Sequence, residues 1–222
     1  TNNFQSRDKI MKLYTFFRSS ASFRLRIALN LKGLDHEVEF VSLPKKANFD
    51  AEFTALNPQQ LLPVLIDGDD VLLQSMATIE YLDEAYPETP LMPATPSDRA
   101  YVRAIAHGIA CDISPLNNVG PLRYLENEMG QDEDARNTWY AFWVGKGFTA
   151  LESLLKQRGL AGKYCFGDQV TLADICLVPQ VFNAQRFNCP LDDYPTLMGI
   201  FDNLMQLQAF KDAAPDNQPD KV

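Results

Sequence analysis

The sequence predicts a small α/β domain with a mixed sheet, followed by an all-helical domain. Three observations carry that prediction. The element order β-α-β-α-β-β-α is complete by about residue 86. Four prolines (Pro87, Pro90, Pro93, Pro96) then crowd residues 87–97, where no helix can continue. From residue 98 onward no stretch reads convincingly as a strand. The domains are expected at 11–88 and 97–215.

The first strand is read from "KLYTFF" (12–17), an aromatic and apolar run suited to a buried strand. Phe23, Ile27, Ala28 and Leu31 follow at helical spacing, with Lys32 in the last turn and Gly33 as the C-cap. "EVEFVSL" (37–43) alternates like a second strand, and "NFDAEFTAL" (48–56) reads as a short helix before Asn57-Pro58. "PVLIDGDDVLLQS" (63–75) holds two apolar runs across an Asp67-Gly68 turn, a hairpin signal. "SMATIEYLDEAY" (75–86) is an amphipathic helix with Ser75 expected as its N-cap.

Helical patterns fill 98–127 and 132–158, and a third begins near Thr171. Trp139 and Trp143, four apart, read as a core stripe. "TLAD" (171–174) reads as a capping box with aspartate in the usual place of glutamate. Pro179 lies inside the apolar run "ICLVPQVF", so a kink or break is expected there. Residues 1–10 are polar and read as a disordered extension, with Met11 as the natural start.

With 222 residues, 46% of them hydrophobic, the chain can bury a sizeable core. Its formal charge of −9 gives no footprint for nucleic acid or an anionic membrane, so any anionic ligand needs a local positive site. No apolar run is long enough to span a bilayer and no signal peptide is visible, which leads to the expectation of a soluble, cytoplasmic protein. Cys111, Cys165, Cys176 and Cys189 form no C-x-x-C pair and only His36 and His107 accompany them, so reduced thiols and no metal are expected.

Against that acidic background, "RSSASFRLRIALNLKG" (18–33) sets Arg18, Arg24 and Arg26 around two serines where a strand gives way to a helix. Cations at a helix N-terminus oppose the macrodipole, so an anionic ligand is indicated. A thiolate suits the place, because a thiol with a pKa of about 8.5 is lowered there and a serine hydroxyl can donate to the sulfur. The plainer alternative makes Ser19 or Ser20 a simple N-cap and leaves the arginines solvated or ion-paired. A Ser-His-Asp triad would need His36 or His107 to arrive by folding, and no G-x-S-x-G elbow is present. Two further features favour a ligand. A cis bond at Leu62-Pro63 would expose backbone for an extended ligand, and Gln74-Ser75 opens a second helix N-terminus suited to a carboxylate.

These residues resemble the cytosolic glutathione transferases from Met11 to near the end of the chain, and most closely the zeta class with its maleylacetoacetate and maleylpyruvate isomerases. The resemblance rests on the 18–33 stretch, "LNPQQLLPVL", "QSMATIEYLDE", "CDISPLNN" and "FGDQVTLADICLVPQVFNAQRFNCPL". It implies the glutathione transferase fold, a thioredoxin-like α/β domain followed by an all-α domain. It also implies glutathione as cofactor, a small dicarboxylate substrate and a homodimer. Carried over by position, Ser19 is the thiol-activating serine and Ser20 its neighbour. Leu62 and cis-Pro63 hold the cysteinyl unit, Gln74 and Ser75 the γ-glutamyl group, and Ser114 and Asn117 reach the same cofactor. Arg18 and Arg186 match arginines for the substrate's carboxylates. Arg24 and Arg26 are left to structure.

Two positions depart from the class pattern: Ala21 stands for its cysteine and Phe23 for its tryptophan. The first puts disulfide-forming side chemistry in doubt and leaves isomerisation intact. The implied activity is cis–trans isomerisation of maleylacetoacetate in aromatic amino acid catabolism, with glutathione regenerated. The alternatives are isomerisation of maleylpyruvate in gentisate breakdown, a general transferase acting on α-halo acids, and a non-catalytic scaffold of the same fold.

Overall fold

The computed structural model describes residues 10–221. The extension expected at 1–10 lies outside them except for the exposed Ile10. The chain divides into two compact units: the described residues through Thr89 together with those from Ala209 onward, and Pro90–Gln208. The segment after 208 therefore clusters with the first unit, whereas the sequence reading ran the second domain on to 215.

The first unit is built on a four-stranded sheet in the order β2-β1-β3-β4, formed by Met11–Thr15 (β1), His36–Phe40 (β2), Val64–Asp67 (β3) and Asp70–Leu73 (β4). β1 runs parallel to β2 and antiparallel to β3, and β3 pairs antiparallel with β4. Helices Ser20–Lys32 (α1), Ala51–Leu56 (α2) and Ser75–Ala85 (α3) complete it. Met11, Leu13 and Thr15 of β1 are buried in alternation, as the pleat requires. Phe16 and Phe17, read as strand, leave it but stay buried in a cluster with Val41, Phe53, Leu62 and Val64. β2 is shorter than predicted and lies at the sheet edge, where Val38 and Phe40 are exposed.

The hairpin register pairs Asp67 with Asp70, so its two central residues are Gly68 and Asp69, one position beyond the predicted turn. Gly68 has φ 65°, the left-handed region that glycine enters without cost. α1 ends on Gly33 in the αL conformation, as expected. Its Lys32 does more than face the helix dipole: the ammonium donates to the carbonyls of Tyr86 (2.9 Å) and Thr89 (2.8 Å) and pairs with Asp83 (3.5 Å).

The second unit is helical among the described residues, with helices Pro96–His107 (α4), Val119–Asn127 (α5), Glu133–Gln157 (α6), Leu172–Arg186 (α7) and Pro195–Leu204 (α8). A short helix, Gln208–Ala213 (α9), leads into the closing segment. The helix predicted over 98–127 is interrupted. α4 passes into one wide π turn at Gly108–Ile113, and the chain breaks before α5. Pro115 cannot donate into a continuing helix, and the Asn118 side chain caps α5 by accepting from the Val119 amide at 2.8 Å.

Of the kink or break expected at Pro179, the break does not occur, since α7 is continuous through it. Eleven consecutive or near-consecutive residues of α7 are buried, from Leu172 to Ala184, and packing on all sides holds the turn that lost its N–H. The capping box is present: Asp174 accepts from the amide (2.8 Å) and hydroxyl (3.1 Å) of Thr171, and also from the Cys165 amide (2.8 Å). Trp139 and Trp143 flank the core and do not form it. They are half-buried and meet edge to face at 5.6 Å, while Tyr140, Val144, Phe148 and Leu151 line the buried face of α6.

Candidate active site

Sheet register gathers the first-unit candidates at one end. Tyr14 pairs with Val64, and Val64 with Leu73, so the exit of β1, the entry to β3 and the exit of β4 lie side by side. Ser19 follows the first, Leu62-Pro63 precedes the second and Gln74-Ser75 follows the third. Neighbouring strands are about 5 Å apart, so the three loops span roughly the length of an extended tripeptide.

Ser19 is the N-cap of α1, with φ −67° and ψ 116°. Its hydroxyl oxygen accepts from the Ser22 amide at 3.2 Å and its carbonyl from the Phe23 amide at 2.8 Å. The hydroxyl proton is thus left to donate elsewhere, and the amides of Ser20 and Ala21 have no partner among the described residues. Cap and ligand donor, which the sequence posed as alternatives, are compatible in this one side chain. Ser19 and Ser20 are half-buried and Arg18 is exposed, its guanidinium 4.8 Å from the Phe17 ring centroid. Arg26 is structural, as expected: buried, it donates to carbonyls and a hydroxyl around the end of β1.

The Leu62-Pro63 bond is cis. β3 is an inner strand paired on both sides, so the backbone exposed here is not a strand edge. The exposed backbone is that of Leu62, which lies before the first paired residue, Val64, and whose amide and carbonyl carry no hydrogen bond to other described residues.

At the third loop, Gln74 and not Ser75 holds the N-cap position of α3. Gln74 has φ 66° and ψ 112°, a conformation that non-glycine residues rarely hold and that costs of order 1–3 kcal/mol. Its side chain does not cap the helix. It donates to Gln59 Oε1 at 2.7 Å, and Ser75 lies buried at the first helical position. Such a helix start favours a carboxylate. Neither Gln59 nor the strain at Gln74 is visible in a one-dimensional pattern; the only signal for Gln59 is its place in "LNPQQLLPVL".

Ser114, Asn117 and Arg186 belong to the second unit. The first two occupy the break between the π turn and α5, where the Asn117 amide donates to the Ser114 carbonyl at 3.3 Å. Asn117 is buried with its side-chain carbonyl unpaired, while its NH2 group reaches the Tyr140 carbonyl at 3.5 Å. Arg186 ends α7 with its guanidinium 4.7 Å from the Phe187 ring, and Phe187 stacks on Tyr140 at 3.8 Å and 12°. Burial pushes the Tyr140 phenol well above its usual range, and the Arg186 charge opposes this. Phe187 and Tyr140, not singled out in the sequence, therefore form the base on which Arg186 lies. Among the described residues no cluster of His, Cys, Asp and Glu could hold a metal. The described cysteines are free thiols, with Cys111 exposed and the other three buried.

Comparison with known proteins gives this geometry its context. The family described as "Glutathione S-transferase, N-terminal domain" matches residues 10–84, and "Glutathione S-transferase, C-terminal domain" matches 137–203. A protein of Vibrio cholerae serotype O1 named "Probable maleylacetoacetate isomerase" is 49% identical over 94% of this chain and 97% of its own. The holo structure of a maleylpyruvate isomerase, described as a bacterial glutathione S-transferase in the zeta class, is 48% identical, covers 95% of this chain and 100% of that one, and superposes with a TM-score of 0.93. The chain belongs to the zeta-class glutathione S-transferases. A maleylacetoacetate isomerase of Methylobacterium extorquens AM1, solved with bound malonate and GSH, is 35% identical over 94% of this chain and 98% of its own, with a TM-score of 0.91. For this zeta-class transferase the sequence expectation of a thioredoxin-like domain followed by a helical one holds.

Proposed function

We propose that this chain is a glutathione-dependent cis–trans isomerase that converts maleylacetoacetate to fumarylacetoacetate, acting as a cytoplasmic homodimer. The observation that carries the reading is the convergence of Ser19, Leu62 and Gln74-Ser75 on one end of the sheet. Each offers what a different part of glutathione needs. The Leu62 backbone suits its cysteinyl peptide, the α3 start its γ-glutamyl carboxylate, and Ser19 its sulfur.

Held by these residues, glutathione would supply a thiolate nucleophile for reversible addition to the cis double bond beside the substrate ketone, the chemistry that permits rotation and restoration of the double bond as trans. The Ser19 hydroxyl donates to the sulfur, and the start of α1 favours its charged form. Ser20 contributes an open amide beside it. We assign Ser114 and Asn117 to the cofactor, and Arg18 and Arg186 to the substrate's carboxylates through charge-assisted hydrogen bonds that also offset negative charge developing at the ketone oxygen.

The 48% identity to a maleylpyruvate isomerase supports the shorter diacid as a second substrate reading. The test supplies each diacid with glutathione far below stoichiometric and follows both product and free thiol. Many turnovers per glutathione with thiol conserved are expected, and the ratio of the two kcat/KM values names the physiological diacid. Thiol consumed one for one against an α-halo acid, with no isomerisation, would replace this reading with that of a conjugating transferase. Failure to be retained on immobilised glutathione would leave only a scaffold.

A further inference from the structure

The turn before Arg18 and Ser19 is tied to the far end of the chain. The Phe17 amide donates to Asp220 Oδ2 at 2.9 Å, across 203 positions of sequence. The Arg26 guanidinium donates through Nη1 to Thr15 Oγ1 (3.1 Å) and the Phe16 carbonyl (3.4 Å), and through Nη2 to the Phe17 carbonyl (3.0 Å). Its Nε–H donates to the Ala213 carbonyl at 3.0 Å, tying the closing segment to the same turn. The Phe16 carbonyl accepts in addition from the Ser19 amide at 3.0 Å, so one oxygen links Arg26 to Ser19. Phe16, Phe17 and Arg26 are all buried.

We propose that Asp220 is a positioning residue for the thiol-activating end of α1: by accepting from the Phe17 amide it fixes, with Arg26, the turn that sets the Ser19 hydroxyl and the open helix amides on the sulfur. The proposal rests on the glutathione reading above. Asp220 also supplies the negative charge that faces the buried Arg26. Burial pulls that guanidinium down to about 10, and Asp220 opposes the fall, so Arg26 stays charged at neutral pH. Without Asp220 the Phe17 N–H loses its acceptor, whereas Arg26, though deprived of a counter-charge, keeps its four acceptors. The turn then loosens where a displacement of about 1 Å can cost a hundredfold in rate.

Position and charge make opposite predictions. A carboxylate acting directly on the thiolate would repel it, so removing the charge would lower the thiol pKa in both Asp220→Ala and Asp220→Asn. Loss of positioning raises the thiol pKa, and only where the acceptor is lost. The experiment measures kcat/KM for the diacid against pH at saturating glutathione for wild type and both variants, with each variant's Tm recorded. The acid limb of Asp220→Ala is expected to move up by about one pH unit, a tenfold loss of rate on that limb, while Asp220→Asn keeps the wild-type limb. Should Asp220→Ala not fold, Asp220→Ser, also too short to reach Phe17, takes its place with the same expectation. An unmoved limb with a lowered Tm, or a limb moved downward in both variants, overturns the role of Asp220. A wild-type rate that is zero or independent of glutathione instead brings down the glutathione reading, and the inference with it.

Discussion

One hydroxyl group at Ser19 faces two ways. Its oxygen closes the first turn of α1 on the Ser22 amide, and its proton is left to donate to a ligand. Ser19→Ala therefore loses two separable things. The cap is worth about 1 kcal/mol in an unfolding titration, and the donor roughly 10²–10³ in kcat. A loss confined to stability would reduce Ser19 to a cap. Arg186, lying on the Phe187–Tyr140 stack, is assigned to substrate and not cofactor. Arg186→Ala should raise KM for the diacid roughly tenfold or more and leave glutathione affinity close to wild type. Equal damage to both would contradict the assignment. At this scale Ser19, the Thr171–Asp174 box and the Gly33 cap were legible, because each is a local pattern of a few residues. Asp220 and Gln59 were not, since their partners lie far along the chain or depend on a strained φ that no residue type announces.

Among elements, what the sequence concealed was set by neighbours. α4 and α5 read as one helix because apolar periodicity runs on through a break made by Pro115 and capped by Asn118. α7 read as kinked or broken because an interior proline is costly in isolation, and burial along its length keeps the helix continuous. Packing between elements adds two predictions. In α6, Gly147 lets the π turn approach so closely that a Cβ there would collide with the side chain of buried Ile113. Gly147→Ala should cost about 1–3 kcal/mol, read as a lowered urea midpoint with an unchanged slope. Glu152 of α6 accepts from the Thr196 (3.0 Å) and Leu197 (2.9 Å) amides at the start of α8 and pairs with Lys156 at 2.8 Å. Burial works to raise this carboxyl, but Lys156 and the two amides outweigh it and hold the folded value below the ordinary 4.5. Its contribution is thus present above pH 4.5 and is lost as pH falls through the lower folded value. The stability gap between wild type and Glu152→Gln should close over that acid window in urea titrations; a gap that persists unchanged would contradict the linkage.

For the whole molecule, composition and element order sufficed to predict an α/β unit, a proline-rich passage and a helical unit. They could not show that the chain after residue 208 clusters with the first unit, because the groups that meet there, such as Arg26 with Ala213 and Asn30 with Ala209, lie far apart in sequence. The proposed homodimer predicts twice the chain mass in light scattering at micromolar concentration, and a single chain mass there would remove it. The central claim is that the start of α1 ionises glutathione, and the direct measurement is an ultraviolet titration of the thiolate of bound glutathione. Ionisation well below the range of the free thiol is predicted in wild type, and a return toward that range in Ser19→Ala. Bound glutathione that ionises at the same pH as free glutathione would contradict the account.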